Sequence, residues 1–172
     1  MNVIHLMVGI QGSGKSTFSK KFAKEQKLTI VSTDLVRMEN PGMKEELVWP
    51  TVYQKCADEL SKGKDLIFDA TSITPKVRLR LKENVEKLFT PFEMGCYFFN
   101  VHPEVCKERV NKRNQLEGEL FLPIEVIDSY FERLIPPTLE EGFIFVKEVD
   151  EMGRIVKEIH QTMKEKVGYG SK

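Results

Sequence analysis

The residues with the clearest chemical pattern lie near the start of the chain. They read Gly9-Ile10-Gln11-Gly12-Ser13-Gly14-Lys15-Ser16 and fit the spacing G-x-x-x-x-G-K-[ST]. An apolar run of strand length precedes them at residues 3–8, and Phe18 and Phe22 fall on one helical face afterwards. A glycine loop between a strand and a helix turns successive backbone N–H groups inward, and the helix N-terminus adds partial positive charge. This order predicts a cradle for the phosphates of a nucleotide.

Two neighbouring side chains of this loop have separate predicted roles. Lys15 is expected to reach the terminal phosphates, and the Ser16 hydroxyl is expected to ligate Mg²⁺. The predicted ligands are therefore ATP and Mg²⁺. The residues predicted to bind the nucleotide from this loop are Gly9, Gln11, Gly12, Ser13, Gly14, Lys15, Ser16 and Thr17.

An acid and a base stand three residues apart after the second predicted strand. Ligands collect at the carboxyl ends of the strands in an open parallel sheet, and Asp34 and Arg37 follow such an end. Asp34 could accept a proton from an acceptor hydroxyl, which is the role of a general base. Arg37 could bind a substrate phosphate through two parallel hydrogen bonds. The alternative is a local salt bridge on a surface helix.

Asp69 ends the third predicted strand, residues 66–68, which is short and wholly apolar. At that position it is expected to hold Mg²⁺ or to orient the attacking hydroxyl. The alternative is an aspartate that only caps the turn after the strand. Thr71 follows two residues later, at the same predicted edge of the sheet.

Arg109 and Arg113 are four residues apart, so on a helix they project to the same side. Two like charges repel one another there unless an anion lies beside them. Arginines on a lid over the phosphates would stabilise charge during transfer of the γ-phosphoryl group. We predict such a helical lid over about residues 105–135. The alternative is a solvated basic face.

Strand and helix patterns alternate along the whole chain, which predicts an α/β fold with a five-stranded parallel sheet flanked by helices. The predicted strands cover residues 3–8, 28–32, 66–68, 94–101 and 143–146. Residues 33–50 are predicted to be a loop with a turn at 40–42, and residues 151–166 a terminal amphipathic helix. Trp49 and Tyr53 could stack on a base or anchor a helix to the core.

The chain of 172 residues is predicted to be one domain, residues 1–172, because its length suits a single core. Its net charge is zero, which gives no global attraction to nucleic acid or to anionic membranes. No apolar run is long enough to span a membrane. The three cysteines form no C-x-x-C pair and fit a reducing compartment, so the expected location is the cytoplasm.

Taken together, these motifs resemble the P-loop kinases that are grouped with polynucleotide 5′-kinases. Residues 122–127 and Glu141-Gly142-Phe143 continue the resemblance, which covers nearly the whole chain. It implies the P-loop NTPase/kinase fold, with Asp34 as general base on the acceptor hydroxyl and Arg37 on the acceptor's 3′-phosphate. It further implies that the two lid arginines clamp the ATP phosphates and that Thr71 lies in the acceptor site.

The predicted activity is ATP- and Mg²⁺-dependent transfer of the γ-phosphoryl group to a hydroxyl, with a polynucleotide or nucleotide 5′-hydroxyl as the first candidate acceptor. Residues 37–50 lack the basic cluster that a nucleic-acid groove needs, which keeps small acceptors open. A small-metabolite kinase is therefore one alternative, and an NTP-binding regulatory ATPase is another. Asp34 and the two lid arginines favour transfer over switching.

Overall fold

Six strands form one sheet in the computed structural model, which describes residues 1–119 and 121–162. In chain order they are β1 (Val3–Val8), β2 (Thr29–Val31), β3 (Leu66–Asp69), β4 (Glu93–Phe99), β5 (Phe145–Val149) and β6 (Ile155–His160). Their order across the sheet is β2-β3-β1-β4-β5-β6. The first five strands are parallel, whereas β6 runs antiparallel to β5. The strand that leads into the glycine loop therefore lies inside the sheet, between β3 and β4.

Six α-helices connect and cover these strands within the described residues. They are α1 (Lys15–Gln26), α2 (Thr33–Glu39), α3 (Val48–Ser61), α4 (Pro75–Glu86), α5 (Pro103–Asn114) and α6 (Glu125–Arg133). Short 3-10 turns lie at Glu45–Leu47 and Leu139–Glu141. Side-chain caps start three of these helices, because Ser32 accepts from the amide of Leu35, Thr74 from that of Val77 and His102 from that of Glu104.

The sheet is buried on both faces. Alternate residues of β1 serve the two sides: Ile4, Leu6 and Val8 pack with α3 and α4, whereas Met7 packs with α5 and α6. Burial on both faces is typical of parallel sheets in α/β proteins, because the crossover helices lie on both sides. Such a core fixes the carboxyl edge of the sheet, from which the candidate site residues emerge.

The predicted α/β fold with its five parallel strands is confirmed, and the sheet has six strands rather than five because an antiparallel strand, β6, is added beside β5. The sixth strand lies where the sequence predicts a terminal helix. The sequence pattern does not distinguish the two, because the spacing of Ile155 and Ile159 fits both a helical stripe and one face of a strand. A turn decides between the two: the Asp150 amide donates to the carbonyl of Arg154, and the Asp150 carboxylate accepts from two further amides. Residues 163–166 of the predicted helix lie outside the described residues.

The segment predicted as a loop over residues 33–50 is mostly helical. The Ser32 cap starts α2, and the turn predicted at residues 40–42 ends it before the 3-10 turn at Glu45–Leu47. The sequence pattern does not reveal α2, because a helix of seven residues is too short to be recognised from propensity alone. Asp34 and Arg37 therefore stand on a helix.

Among the helices of residues 1–119 and 121–162, none combines the length and apolar character that crossing a membrane requires. The three cysteines, Cys56, Cys96 and Cys106, are buried and unpaired.

Candidate functional site

The glycine loop bends sharply between β1 and α1. Gly12 and Gly14 both have left-handed backbone angles, with φ of +80° and +102°. A Cβ on Gly12 would lie 2.6 Å from the carbonyl oxygen of Cys106, closer than real Cβ atoms approach, so α5 packs directly on the loop. The loop runs straight into the first turn of α1 at Lys15, which is the geometry of an anion site at a helix N-terminus.

Lys15 is buried inside this loop. Its Nζ donates to the carbonyl oxygen of Ile10 at 2.9 Å. Burial lowers the pKa of Lys15 from 10.5 to about 8, and the negative charge of Asp69 opposes this shift. An ammonium has three donors, so this contact leaves capacity for phosphate oxygens.

Ser16 and Asp69 meet beside Lys15. The Ser16 hydroxyl donates to Oδ2 of Asp69 at 3.2 Å, which joins the start of α1 to the end of β3. Burial raises the pKa of Asp69, while the charge of Lys15 opposes that rise. The structure therefore places Lys15, Ser16 and Asp69 together at the carboxyl edge of the sheet.

The Ser16 hydroxyl and the Asp69 carboxylate fit a magnesium ion. Both offer oxygen, the donor that Mg²⁺ prefers, and Mg²⁺ at nucleotide sites takes few protein ligands besides water and phosphate oxygens. Within the part of the chain that the structure describes, no group of three or more histidine, cysteine, aspartate or glutamate side chains could hold a metal by itself. Ser16 and Asp69 thus suit an ion that enters together with a nucleotide.

Two further polar atoms of the loop, Ser13 Oγ and Gln11 Oε1, are buried without a hydrogen-bond partner in the described structure. Buried polar groups are normally paired, so such atoms call for an explanation. The Ser13 hydroxyl can donate to a phosphate oxygen, which makes its position in the loop consistent with a nucleotide site.

Asp34 and Arg37 lie side by side on α2. The Arg37 Nη1 donates to Oδ1 of Asp34 at 3.0 Å, which is the local salt bridge that the spacing also allowed. Arg37 also donates from Nε to Glu45 at 3.1 Å. The Asp34 side chain is 84% exposed, and its charge still acts weakly on Lys15 and Asp69. Asp34 thus faces solvent near the loop, whereas Arg37 is occupied by two carboxylates.

Thr71 contributes a backbone contact in this structure. Its carbonyl oxygen accepts from the amide of Gly9 at 3.0 Å, so it ties the first residue of the glycine loop to the segment after β3. The side chain is half-buried.

Arg109 and Arg113 have different surroundings on α5. Arg109 donates from Nη1 to the carbonyl oxygen of Gly12 at 3.2 Å and from Nη2 to the carbonyl oxygen of Glu151. Arg113 is exposed one turn later, and its charge acts weakly on Lys15. Both arginines lie near the loop but in different positions. Arg109 contacts the loop itself, whereas Arg113 is exposed to solvent beside it.

Trp49 and Tyr53 contact each other with ring centroids 5.7 Å apart, and Trp49 also lies against Phe68 of β3. Both rings pack on the core of the sheet. This geometry favours the helix anchor over the stacking surface for a base.

Sequence reasoning missed Glu45, the second carboxylate on Arg37. The two residues are eight apart, beyond any helical spacing, and the turn at residues 40–42 brings them back together. The turn predicted at residues 40–42 is the sequence signal that could have indicated this pair.

Known structures share this fold at low sequence identity. A protein from Chloroflexus aurantiacus J-10-fl, provisionally named as a kinase, is 18% identical with a TM-score of 0.68, covering 87% of this chain and 88% of its own. A gluconokinase from Sinorhizobium meliloti 1021 is 20% identical with a TM-score of 0.55, covering 86% and 81%. A sugar kinase from Janibacter sp. HTCC2649, solved without ligand, is 18% identical with a TM-score of 0.65, covering 90% and 87%.

At the level of sequence, the protein family described as AAA domain (AAA_33) matches residues 4–137, well over half of the chain. The match contains the glycine loop, Asp34, Asp69 and both arginines of α5. The wider resemblance to P-loop kinases is thereby confirmed, while the narrower grouping with polynucleotide 5′-kinases stays a prediction. The chain belongs to the AAA domain family AAA_33, and in its fold it is a P-loop kinase.

Proposed function

We propose that this protein is an ATP-dependent kinase that transfers the γ-phosphoryl group of ATP to a hydroxyl of a small metabolite. The observation that carries the proposal is the meeting of Lys15, Ser16 and Asp69 at one end of the glycine loop, with Asp34 exposed nearby. Lys15 offers positive charge, the Ser16–Asp69 pair offers oxygen ligands, and Asp34 offers an acceptor for a proton.

In the proposed reaction, the acceptor oxygen forms a bond to the γ-phosphorus while the bond from that phosphorus to the β-bridging oxygen breaks. ADP leaves, and Asp34 takes the proton of the acceptor hydroxyl. Lys15 and the arginines of α5 stabilise negative charge on the transferring group. A magnesium ion bound at Ser16 and Asp69 would neutralise charge on the nucleotide phosphates.

The charges around Asp34 support a small acceptor. Residues 33–47 contain four acids (Asp34, Glu39, Glu45, Glu46) and two bases (Arg37, Lys44). Arg37, the base best placed for an acceptor phosphate, is already bound to Asp34 and Glu45. A groove for a nucleic-acid backbone needs an excess of positive charge, which this segment lacks.

The known structures that share this fold also favour a small acceptor. The gluconokinase and the sugar kinase that share this fold act, by their names, on small polyhydroxylated molecules. At 18–20% identity they support the choice of acceptor class without naming the acceptor.

A polynucleotide or nucleotide 5′-hydroxyl is the second candidate acceptor. The spacing Asp34-x-x-Arg37 and the resemblance of residues 122–127 favour it. For this activity, Arg37 would have to exchange Glu45 for an acceptor phosphate.

The test is a transfer assay with γ-labelled ATP, the purified protein, a panel of sugars, sugar acids and polyols, and 5′-hydroxyl oligonucleotides. We expect the label on one small alcohol and its loss in the Asp34→Asn variant. Asp58→Asn is the matched control, because Asp58 is exposed on α3 and hydrogen-bonded to Gln54. Label on the oligonucleotides would establish the second candidate instead. Acceptor-independent release of phosphate alone would favour a regulatory ATPase.

A further inference from the structure

An arginine lies inside the apolar stripe of α4. Arg78 shares the buried face of this helix with Leu81 and Val85, and its side chain is only 1% exposed. Arginine is rarely buried so deeply unless it is paired, because desolvation of its charge is costly. The contacts of Arg78 therefore need a specific explanation.

The guanidinium joins three separate segments. Nε and Nη2 donate to the two carboxylate oxygens of Glu141, at 2.8 and 3.0 Å, in a two-point pair. Nη1 donates to the carbonyl oxygen of Ser72 at 2.8 Å, and Nη2 donates to that of Ile135 at 3.0 Å. Glu141 in turn accepts from the amide of Thr138 at 3.0 Å, so the pair also closes the turn after α6.

Ser72 lies between two other backbone contacts that reach the candidate site. The preceding carbonyl, of Thr71, accepts from Gly9 at the start of the glycine loop. The following carbonyl, of Ile73, accepts from the amide of Ile135 at 2.8 Å, just after α6. Ser72 itself has φ of +47°, a left-handed angle that is costly for a residue with a side chain. Residues 71–73 thus connect the glycine loop to the end of α6.

We propose that Arg78, paired with Glu141, is a positioning residue that fixes the α5–α6 segment relative to the glycine loop. Its hydrogen bonds hold the carbonyl of Ser72 on one side and the carbonyl of Ile135 on the other. Movement of the Ser72 carbonyl or of the Ile135 carbonyl therefore changes the hydrogen bonds of the same guanidinium. Loss of the pair shifts the arginines of α5 against the bound phosphates without removing any group that touches them.

The catalytic half of this inference rests on the proposed kinase activity, whereas the structural half does not. A role in stability alone predicts lower resistance to unfolding and normal turnover by the molecules that remain folded. A positioning role predicts altered turnover in the folded protein, because small misplacements of reacting groups reduce rates strongly. The two roles are separable.

The main variant is Glu141→Gln, which keeps the shape of the side chain and removes its charge. Glu140→Gln, at the exposed neighbouring residue, is the matched control. Arg78→Lys is the second variant, since lysine keeps the charge but cannot bridge three segments. Its control is Arg80→Lys on the exposed face of α4.

The first readout is amide hydrogen exchange by NMR in the protein without nucleotide. We expect exchange at Gly9 and Ile135 to become at least about tenfold faster in both variants, while the amides of β1 and β4 keep their protection. Unchanged exchange at these two amides, or a uniform loss across the sheet, would overturn the inference.

The second readout is steady-state transfer to the acceptor found above. We expect kcat to fall about tenfold or more, while the ADP dissociation constant changes less than about threefold. Normal kcat in both variants would overturn the inference. If the wild type transfers no phosphoryl group, the proposed function fails, and the exchange measurement alone decides the inference.

Discussion

The ammonium of Lys15 lies 2.9 Å from the carbonyl oxygen of Ile10, so the loop holds its own lysine before any phosphate arrives. Burial at this position lowers the pKa of Lys15 to about 8. The charge of this residue is therefore sensitive to pH in a range that is easily reached. Two measurable properties depend on that charge with opposite signs.

Nucleotide affinity is expected to decrease as the pH rises above about 8. Bound phosphates favour the charged form of Lys15 and raise its pKa, so above pH 8 binding must take up a proton. The ADP association constant should then fall by up to about tenfold per pH unit. Calorimetric titrations between pH 6.5 and 9.5 measure it. The slope should persist in Lys24→Met, an exposed lysine of α1, and disappear in Lys15→Met.

Stability without nucleotide is expected to change in the other direction. The unfolded chain holds the proton of Lys15 up to its ordinary pKa of 10.5, whereas the folded chain loses it near 8. The unfolded state therefore binds more protons between these values, and this residue makes the free energy of unfolding rise with pH there. Urea unfolding of wild type and Lys15→Met at pH 7 and 9 isolates the contribution. A wild-type difference equal to that of the variant would contradict the lowered pKa.

Asp34→Asn is expected to lower kcat for transfer by roughly 10²–10⁴-fold, as the loss of a general base does. The dissociation constant for ATP should change little, since Asp34 is exposed and outside the glycine loop. Rapid-quench transfer assays together with equilibrium binding separate the two quantities. Equal losses in binding and in transfer would show that Asp34 acts on the nucleotide rather than on the acceptor.

Asp69→Asn is expected to raise the Mg²⁺ concentration that gives half-maximal rate. Ser16→Ala should do the same, and the double variant should show less than the sum of both effects, because the two side chains are hydrogen-bonded. Rates measured across a Mg²⁺ titration provide the comparison, with Asp58→Asn as control. If only maximal rate falls at an unchanged Mg²⁺ midpoint, Asp69 orients a reactant instead.

The arginines of α5 are expected to differ in their effect on binding. Arg113→Ala should lower kcat by at least about tenfold with a smaller change in ATP affinity, because charge on the γ-phosphoryl group develops during transfer. Arg109→Ala should weaken both, since Arg109 also holds the carbonyl of Gly12. Lysine should rescue poorly, because it lacks the planar two-point contact. Lys112→Ala, an exposed lysine on the same helix, controls for general loss of charge. If all three alanine variants bind ATP weakly but turn over normally at saturating ATP, the arginines of α5 form only a basic face that attracts nucleotide.

The loop residues and Asp69 could be predicted from the sequence because their signals are local. Four specified positions within eight residues, flanked by a strand and a helix, define the loop, and Asp69 follows a wholly apolar strand. These parts of the site depend on neighbours in sequence and need no knowledge of the fold.

The remaining features depend on contacts between distant segments. Arg78 looks like an ordinary helix residue, and Glu141, 63 residues later, gives no sign of its partner. Strand β6 was missed because the spacing of Ile155 and Ile159 suits either element, and pairing with β5 decides the outcome. Tertiary pairing of this kind carries no periodic signal in the sequence.

The antiparallel direction of β6 has a practical consequence for spectroscopy. His160 pairs with Phe145 at the amino end of β5, so it lies at the edge of the sheet away from the glycine loop. All three native cysteines are buried, which leaves an introduced His160→Cys as the selective target for a thiol-reactive dye. A second dye, on a cysteine introduced by Leu116→Cys at this exposed position, would allow a distance to be measured across the molecule. Energy transfer between these two positions would report any change in the distance between residue 116, after α5, and the amino edge of the sheet when nucleotide is added.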